Sequence, residues 1–268
     1  MIALYKACLV IKGFHQRLGI DFHDMFSPVV KPTTIRTVLH IAVTNGWVLH
    51  QLDVNNAFLQ ETLTDDVYMQ QPPGFVHSQF PTHVCKLHRA IYRLRQAPWA
   101  WYNELCQFLV LHDFYNSKFD SSLFIHHGTN FYLYLLVYVD NIVITESSEP
   151  KVRDFISLLS KLFSLKDLGS LSYFFEVEAQ QCTQGLFLSQ RKYICDLLKK
   201  TNMHDAKKVS NPLVPSVKLT FHDGTPSTDA TLYRQVLGSM QYLSLTRPDI
   251  SFIVNKLSQY MHQPTVTH

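Results

Sequence analysis

The chain has 268 residues, of which 46% are hydrophobic and 17% are charged. That is enough chain for one large globular unit or two packed subdomains with a substantial core. A formal net charge of +3 permits a nucleic-acid partner but does not require one. The five cysteines contain no C-x-x-C pair, which argues against a disulfide framework or a zinc ribbon.

The sequence predicts neither a signal peptide nor a transmembrane segment. Lys6 and Lys12 interrupt the apolar run that a signal peptide would need. The most apolar stretch, Phe131 to Ile144, contains Asp140 and is too short to span a bilayer. The fourteen histidines are scattered along the chain, and we expect none of them to bind a metal.

Hydrophobic periodicity and turn residues predict helices mixed with strands, which indicates an α+β fold. In chain order, the first predicted elements are a helix at 34–44, a segment at 47–58 that reads as extended chain up to Asp53 and leads into a helix, and a helix at 98–112. They are followed by strands at 122–127, 131–139 and 142–145, a helix at 150–163, a hairpin of 171–178 with 186–188, and helices at 191–200, 229–245 and 248–261. The polar, proline-bearing segment 212–228 is predicted to link a first domain, 1–211, to a helical segment, 229–268.

Two aspartates lie at the ends of apolar segments. Asp53 ends the extended run, and Asp140 lies in the turn of the predicted hairpin between 131–139 and 142–145. The pair Asp140-Asn141 is expected to form this turn because both residues tolerate a positive φ. Two carboxylates on separate strands can share a pair of magnesium ions, as phosphoryl transfer requires. Alternatively, Asp53 caps a helix and Asp140 is an ordinary turn residue.

The segments around these aspartates resemble motifs A and C of reverse transcriptases. The first reads Leu52-Asp53-Val54, and the second reads Tyr138-Val139-Asp140-Asn141 where the family normally has Tyr-x-Asp-Asp. Other blocks resemble the polymerase domain of copia-type retrotransposons and follow its order. They include Lys12-Gly13-Phe14, Phe26-Ser27-Pro28-Val29, Ala57-Phe58-Leu59, Gln96-Ala97-Pro98, Lys166-Asp167-Leu168-Gly169, Leu188-Ser189-Gln190 and Thr246-Arg247-Pro248-Asp249-Ile250. The blocks cover nearly the whole chain, which is identified as a member of that family.

The resemblance implies a right-hand polymerase fold with a palm sheet, truncated fingers and a helical thumb or connection part. It implies an RNA-directed DNA polymerase that adds dNTPs to a primer on an RNA or DNA template. Two Mg²⁺ ions, for which Mn²⁺ can substitute, would be held by Asp53 and Asp140, with Asn141 as the third catalytic position. An intact element would also supply RNase H and integrase domains and would act in a cytoplasmic virus-like particle or the nucleus.

The resemblance also assigns roles to other side chains. The expected nucleotide-binding residues are Lys6, Lys12, Phe58 and Gln96. The expected nucleic-acid contacts are Lys86, Arg89, Arg93 and Arg95, which would bind backbone phosphates. Two alternatives stay open: Phe58 could be a core aromatic residue, and the two lysines could be surface residues.

Four positions depart from the family pattern. Asn141 replaces an aspartate, Cys8 replaces an arginine, and Arg93 and Glu176 stand where glycine is usual. We expect a weakened metal site at Asn141 and backbone strain at the two former glycines. Each change can arise from one C-to-T or G-to-A mutation, so we hypothesise a decayed copy. Met1 is expected to begin inside the fingers and His268 to stop before an RNase H domain, as in a fragment of a polyprotein.

Three functions are therefore considered. The first is a polymerase, impaired or inactive in this copy. The second is a non-catalytic relic that at most binds nucleic acid. The third is an unrelated metal-dependent phosphohydrolase that would use Asp53 and Asp140 and would need further carboxylate or histidine ligands nearby.

Overall fold

The computed structural model describes residues 10–23, 25, 28–60, 62–129, 131–147, 149–209, 219–221 and 224–268. Lys6, Cys8 and part of the predicted linker lie outside the described residues. The chain divides into two compact units, Met1–Leu171 and Ser172–His268. The domain bounds predicted at 211 and 229 stay predictions.

A six-stranded antiparallel sheet forms the centre of the first unit, with strands in the order β4-β5-β6-β7-β1-β8. A separate hairpin is formed by β2 and β3. The strands are β1 Val48–Val54, β2 Thr62–Gln70, β3 Val84–Arg89, β4 Phe114–Asn116, β5 Leu123–His127, β6 Tyr132–Tyr138, β7 Asn141–Glu146 and β8 Leu165–Ser170. The helices are α1 Pro32–Thr44, α2 Ala97–Leu111 and α3 Glu149–Leu162, and a 3₁₀ turn, Ala57–Gln60, follows β1.

Helices α2 and α3 share a hydrophobic core with alternate residues of the sheet strands. The predicted apolar stripe of α2 is confirmed, because Trp101, Leu105, Phe108 and Leu109 are all buried. The stripe of α1 is largely confirmed as well, since Ile35, Val38, Leu39 and Ala42 are buried and the helix lies against β1 and β7. The sheet is therefore positioned by helices whose periodicity the sequence already shows.

The described residues of the second unit form a three-stranded sheet and three helices. Its strands are β9 Tyr173–Phe174, β10 Val177–Cys182 and β11 Gly185–Ser189, in the order β11-β10-β9. Its helices are α4 Arg191–Lys200, α5 Ala230–Leu243 and α6 Ser251–Ser258, the last preceded by a 3₁₀ turn, Pro248–Ile250. The Asp229 carboxylate caps α5 by accepting hydrogen bonds from the backbone of Thr231 and Leu232. Both units confirm the mixed helix-and-strand class.

Three details differ from the sequence-based expectation. The predicted strand 171–178 is wrong as one element, because Phe175 and Glu176 adopt φ of 57° and 54° and form a turn between β9 and β10. Strands β2, β3, β4 and β8 were not predicted, because their charged or exposed residues hide a strand pattern. The turn predicted at Asp140-Asn141 lies one residue earlier in the chain.

Candidate functional site

The hairpin of β6 and β7 turns at Val139 and Asp140. Tyr138 pairs with Asn141, so Asn141 is the first residue of β7 rather than part of the turn. The positive φ that the turn needs is at Val139, with a value of 53°. A positive φ at the first of two turn residues is the pattern of a type II′ hairpin. The prediction that Asp140 lies at a hairpin tip is confirmed, and the prediction that Asp140 and Asn141 form the turn is wrong.

Asp53 lies beside this hairpin in the adjacent strand. It pairs with Asn141 of β7 on one side and with Lys166 of β8 on the other. Directly paired residues of antiparallel strands project to the same face, with Cβ atoms about 4.5–5.5 Å apart. The Asn141, Asp53 and Lys166 side chains therefore form a row across three strands, on the face opposite the buried Leu52 and Val54.

Asp140 is attached to this row at both its backbone and its side chain. Its carbonyl accepts a hydrogen bond from the Val54 amide at 2.8 Å. Its Oδ1 accepts a hydrogen bond from Nδ2 of Asn141 at 3.1 Å. Asp53, Asp140 and Asn141 are each partly exposed, so a ligand in solvent can reach them. The sheet thus brings Asp53 beside Asp140 and Asn141, which lie far from it in sequence.

The carboxylate oxygens of Asp53 and Asp140 are of the type that binds a hard divalent cation. Mg²⁺ is usually bound by one or two carboxylates and completes its coordination with substrate phosphates and water. Among the described residues, no group of three or more His, Cys, Asp or Glu side chains is placed to hold a metal by itself. Asp53 and Asp140 supply two carboxylates of the kind that such a site uses. The phosphohydrolase would need further carboxylate or histidine ligands close to them.

Gln96, expected to contact the nucleotide, is buried at the start of α2, with 4% of its surface exposed. Its Oε1 accepts a hydrogen bond from Nε2 of Gln16 at 2.9 Å, and its own Nε2 donates to the Asp21 carbonyl at 3.1 Å. Gln16 also accepts a hydrogen bond from the Arg95 amide at 2.9 Å. Gln96 and Gln16 therefore join the N-terminal segment to the start of α2. The nucleotide contact of Gln96 stays a prediction.

The other two described candidates for nucleotide binding differ in burial. Phe58 is 7% exposed, belongs to the main core and packs edge-on against Tyr92 with ring centroids 5.0 Å apart. This is the core position that the sequence left open for Phe58. Lys12 is exposed just before a short 3₁₀ turn. Neither arrangement tests the predicted contact with a nucleotide.

Two of the basic candidates lie on β3 and are exposed. Lys86 forms an ion pair with Asp66, 2.5 Å between Nζ and Oδ1, and this hydrogen bond raises the pKa of the lysine. Arg89 donates to the Leu59 carbonyl at 3.2 Å. Lys86 and Arg89 thus both have partners within the protein, and their phosphate contacts stay predictions.

Arg93 and Arg95 lie in the loop before α2. The Arg95 Nε donates to the Gly13 carbonyl at 3.0 Å, and its guanidinium lies over the Phe22 ring, 5.5 Å from the centroid. Arg93 is exposed and adopts a φ of 71°, which confirms that a residue replacing glycine is strained there. Gly13 approaches this loop closely, since a Cβ on it would lie 1.8 Å from the Arg93 carbonyl oxygen.

The sequence reasoning missed two residues of this region. Lys166 was noted only as part of a family block, and its position opposite Asp53 depends on the pairing of β1 with β8. Gln16 was given no role, although it donates a hydrogen bond to Gln96. The partner of each residue lies far away in sequence, so no local pattern indicates it.

Comparisons with known proteins identify the same family as the motifs around Asp53 and Asp140. The family model described as "Reverse transcriptase (RNA-dependent DNA polymerase)" matches residues 2–215. The chain is 53% identical over 264 residues, 98% of its length, to each of two proteins named Retrovirus-related Pol polyprotein, from transposons RE1 and RE2 of Arabidopsis thaliana. This chain belongs to the copia-type reverse transcriptases. The corresponding Pol polyprotein from transposon TNT 1-94 of Nicotiana tabacum is 36% identical over 274 residues.

This copia-type reverse transcriptase spans a small part of those relatives. It covers 18% of the RE1 and RE2 proteins and 21% of the TNT 1-94 protein. No solved structure matches the chain. Within the described ranges, no helix is both long enough and apolar enough to cross a membrane.

Proposed function

We propose that the first unit of this copia-type reverse transcriptase is the palm of a right-hand RNA-directed DNA polymerase, and that this copy is impaired. The observation that carries the proposal is the register of β1 against β7. It sets Asp53 opposite Asn141 and beside the turn that bears Asp140. A carboxylate of β1 and one of the neighbouring turn then lie in the same partly exposed region, an arrangement that two-metal nucleotidyl transfer can use.

The roles of the side chains follow from their charges. Asp53 and Asp140 would hold two divalent ions, which supply Lewis acidity to the primer 3′-hydroxyl and neutralise the triphosphate. Lys166, on the same face as Asp53, adds a positive charge suited to phosphate oxygens. Asn141 supplies an amide that donates to Asp140 where the family pattern has a second carboxylate. The acidic site is one charge weaker as a result.

The substrates and partners follow from the family. A primer on an RNA or DNA template and dNTPs are the proposed substrates, with Mg²⁺ or Mn²⁺ as the cofactor. Phe58 and Gln96 are the proposed nucleotide-side residues, the first as a gate against a 2′-hydroxyl and the second as a contact. RNase H and integrase domains are the proposed neighbours, because the relatives are named Pol polyproteins. A virus-like particle or the nucleus is the proposed place of action.

Primer extension on poly(rA)–oligo(dT) with dTTP and Mg²⁺ or Mn²⁺ tests this function. The informative chains are the unmodified protein, the Asn141→Asp, Cys8→Arg double variant, and that double variant with Asp53→Asn added. We expect the double variant to extend the primer, the unmodified chain to do so much more slowly, and Asp53→Asn to abolish extension. A double variant that extends no primer, or that is indifferent to Asp53→Asn, would refute the polymerase.

A non-catalytic relic is the second candidate, and the backbone favours it. Arg93 and Glu176 hold φ of 71° and 54°, which the glycines usual at these positions adopt without strain. A relic would bind primer–template in a salt-sensitive manner without extending it. Extension by the unmodified chain at the speed of the double variant would contradict the proposed decay.

A further inference from the structure

A tryptophan of the core is hydrogen-bonded to the turn that carries Asp140. The indole Nε1 of Trp101, on α2, donates a hydrogen bond to the carbonyl oxygen of Val139 at 2.7 Å. Trp101 is 2% exposed, and its ring packs edge-on against Phe163 with centroids 5.0 Å apart. The donor therefore belongs to a rigid, buried part of the core and is fixed in direction.

Val139 is a residue that needs such support. Its φ of 53° is the left-handed conformation, which a β-branched side chain very rarely adopts. Such a conformation persists only where surrounding contacts over-determine it. The carbonyl of Val139 does not join the β6–β7 ladder, which closes at the Tyr138–Asn141 pair. Without Trp101, this carbonyl would lose a partner on the core side of the turn.

The two carbonyls of the turn are thus fixed from two directions. Trp101 binds that of Val139 from the helix, and the Val54 amide binds that of Asp140 from β1. Asp140 follows Val139 directly, so rotation of the strained peptide would move its carboxylate relative to Asp53. A displacement of about 1 Å at a catalytic group is enough to slow a reaction greatly.

We infer that Trp101 is a positioning residue for the active site, whose indole N–H keeps the strained Val139–Asp140 turn in the conformation that directs the Asp140 carboxylate toward Asp53. The inference rests on the proposed function for its catalytic consequence, and on geometry alone for its effect on the turn. It adds a residue of α2 that touches neither metal nor substrate.

The test replaces Trp101 by Phe, which keeps an aromatic ring but removes the N–H. Trp47→Phe is the matched control, because Trp47 also packs against another ring, that of Tyr134, but lies beside the opposite end of β7 from the turn. Hydrogen exchange of the Asn141 amide, measured in the unmodified background, reports on the turn without any polymerase activity. We expect Trp101→Phe to accelerate this exchange about 5- to 30-fold and Trp47→Phe to leave it unchanged.

A second substitution tests the strain itself. Glycine adopts a positive φ freely, so Val139→Gly should reduce the acceleration caused by Trp101→Phe. Equal exchange in the Trp101→Phe and Trp47→Phe chains, or strictly additive effects with Val139→Gly, would overturn the inference. If Trp101→Phe does not fold, benzothienylalanine at position 101 keeps the ring size and exchanges the N–H for sulfur.

Kinetics separate the two proposals. In the Asn141→Asp, Cys8→Arg background, Trp101→Phe should lower kcat about 5- to 30-fold and leave KM for dTTP nearly unchanged. If Trp101 only stabilised the fold, its replacement would lower the fraction of active protein, and the remaining activity would depend on Mn²⁺ as before. A displaced Asp140 should instead raise the Mn²⁺ concentration required for half-maximal activity. A turn that loosens in a chain that never extends a primer would leave this inference standing and refute the polymerase.

Discussion

Replacing Asn141 by Asp should have opposite effects with and without a divalent cation. The amide of Asn141 now donates to the Asp140 carboxylate at 3.1 Å, and the substitution puts a second negative charge in its place. Two unit charges about 4 Å apart repel by about 4 kcal/mol at an effective dielectric near 20. Because both residues are partly exposed, screening reduces the cost to about 1–3 kcal/mol. The variant without metal should therefore unfold more easily than the unmodified chain.

A divalent cation should reverse this order. An added carboxylate beside a dication gains about twice the energy of a single charge pair before desolvation opposes it. Ligand binding stabilises the folded state by RT ln(1 + [L]/Kd), which is about 2.7 kcal/mol at a hundredfold excess over Kd. We therefore expect Mn²⁺ to raise the free energy of unfolding of Asn141→Asp by about 2–3 kcal/mol more than that of the unmodified chain.

Urea unfolding without metal, and again at Mn²⁺ concentrations raised in 10-fold steps, measures the change in the free energy of unfolding. Calorimetric titration measures the binding of Mn²⁺ itself. Asn255→Asp is the matched control, because it adds the same charge at an exposed position of α6. Adding Asp140→Asn to the variant should remove the extra metal response. A variant that is as stable as the unmodified chain without metal and gains nothing from Mn²⁺ would show that Asn141 and Asp140 do not form one acidic site.

Three further outcomes are expected from substitutions away from the metal ligands. Glu176→Gly should raise the free energy of unfolding by about 1 kcal/mol, because Glu176 is held at a φ of 54° that glycine adopts without strain. The control Glu178→Gly, in the neighbouring strand β10, should lower the free energy of unfolding, and equal effects of the two substitutions would contradict the strain. Burial raises the pKa of Tyr102 above its usual value of 10.0, so the contribution of this residue to the free energy of unfolding is complete below pH 10 and is lost as the pH rises further. Urea unfolding between neutral and alkaline pH should therefore show a smaller loss of stability for Tyr102→Phe than for the unmodified chain. In the Asn141→Asp, Cys8→Arg chain, Gln16→Ala should raise KM for dTTP more than it lowers kcat, because Gln96 loses the hydrogen bond that orients its amide. An unchanged KM for dTTP would argue against a nucleotide contact at Gln96.

The sequence by itself determined the family, the helices with strong apolar stripes, and the identity of the two acidic residues. Helix α4 was predicted with the bounds that the structure shows, Arg191–Lys200. Local side-chain patterns carry this information, because a helix that buries one face repeats its apolar residues every three or four positions. The strain at Arg93 and Glu176 was also foreseen, since glycine marks positions that need a positive φ.

Only the tertiary structure decided which residues meet. The edge strands β4 and β8 and the hairpin of β2 and β3 were missed because exposed strands need no apolar alternation. The register of Asp53 with Asn141 and Lys166 depends on pairing between distant strands, which no local pattern encodes. The same holds for the bond from Trp101 to Val139, where a β-branched residue takes the strained turn position because packing against α2 outweighs its local preference.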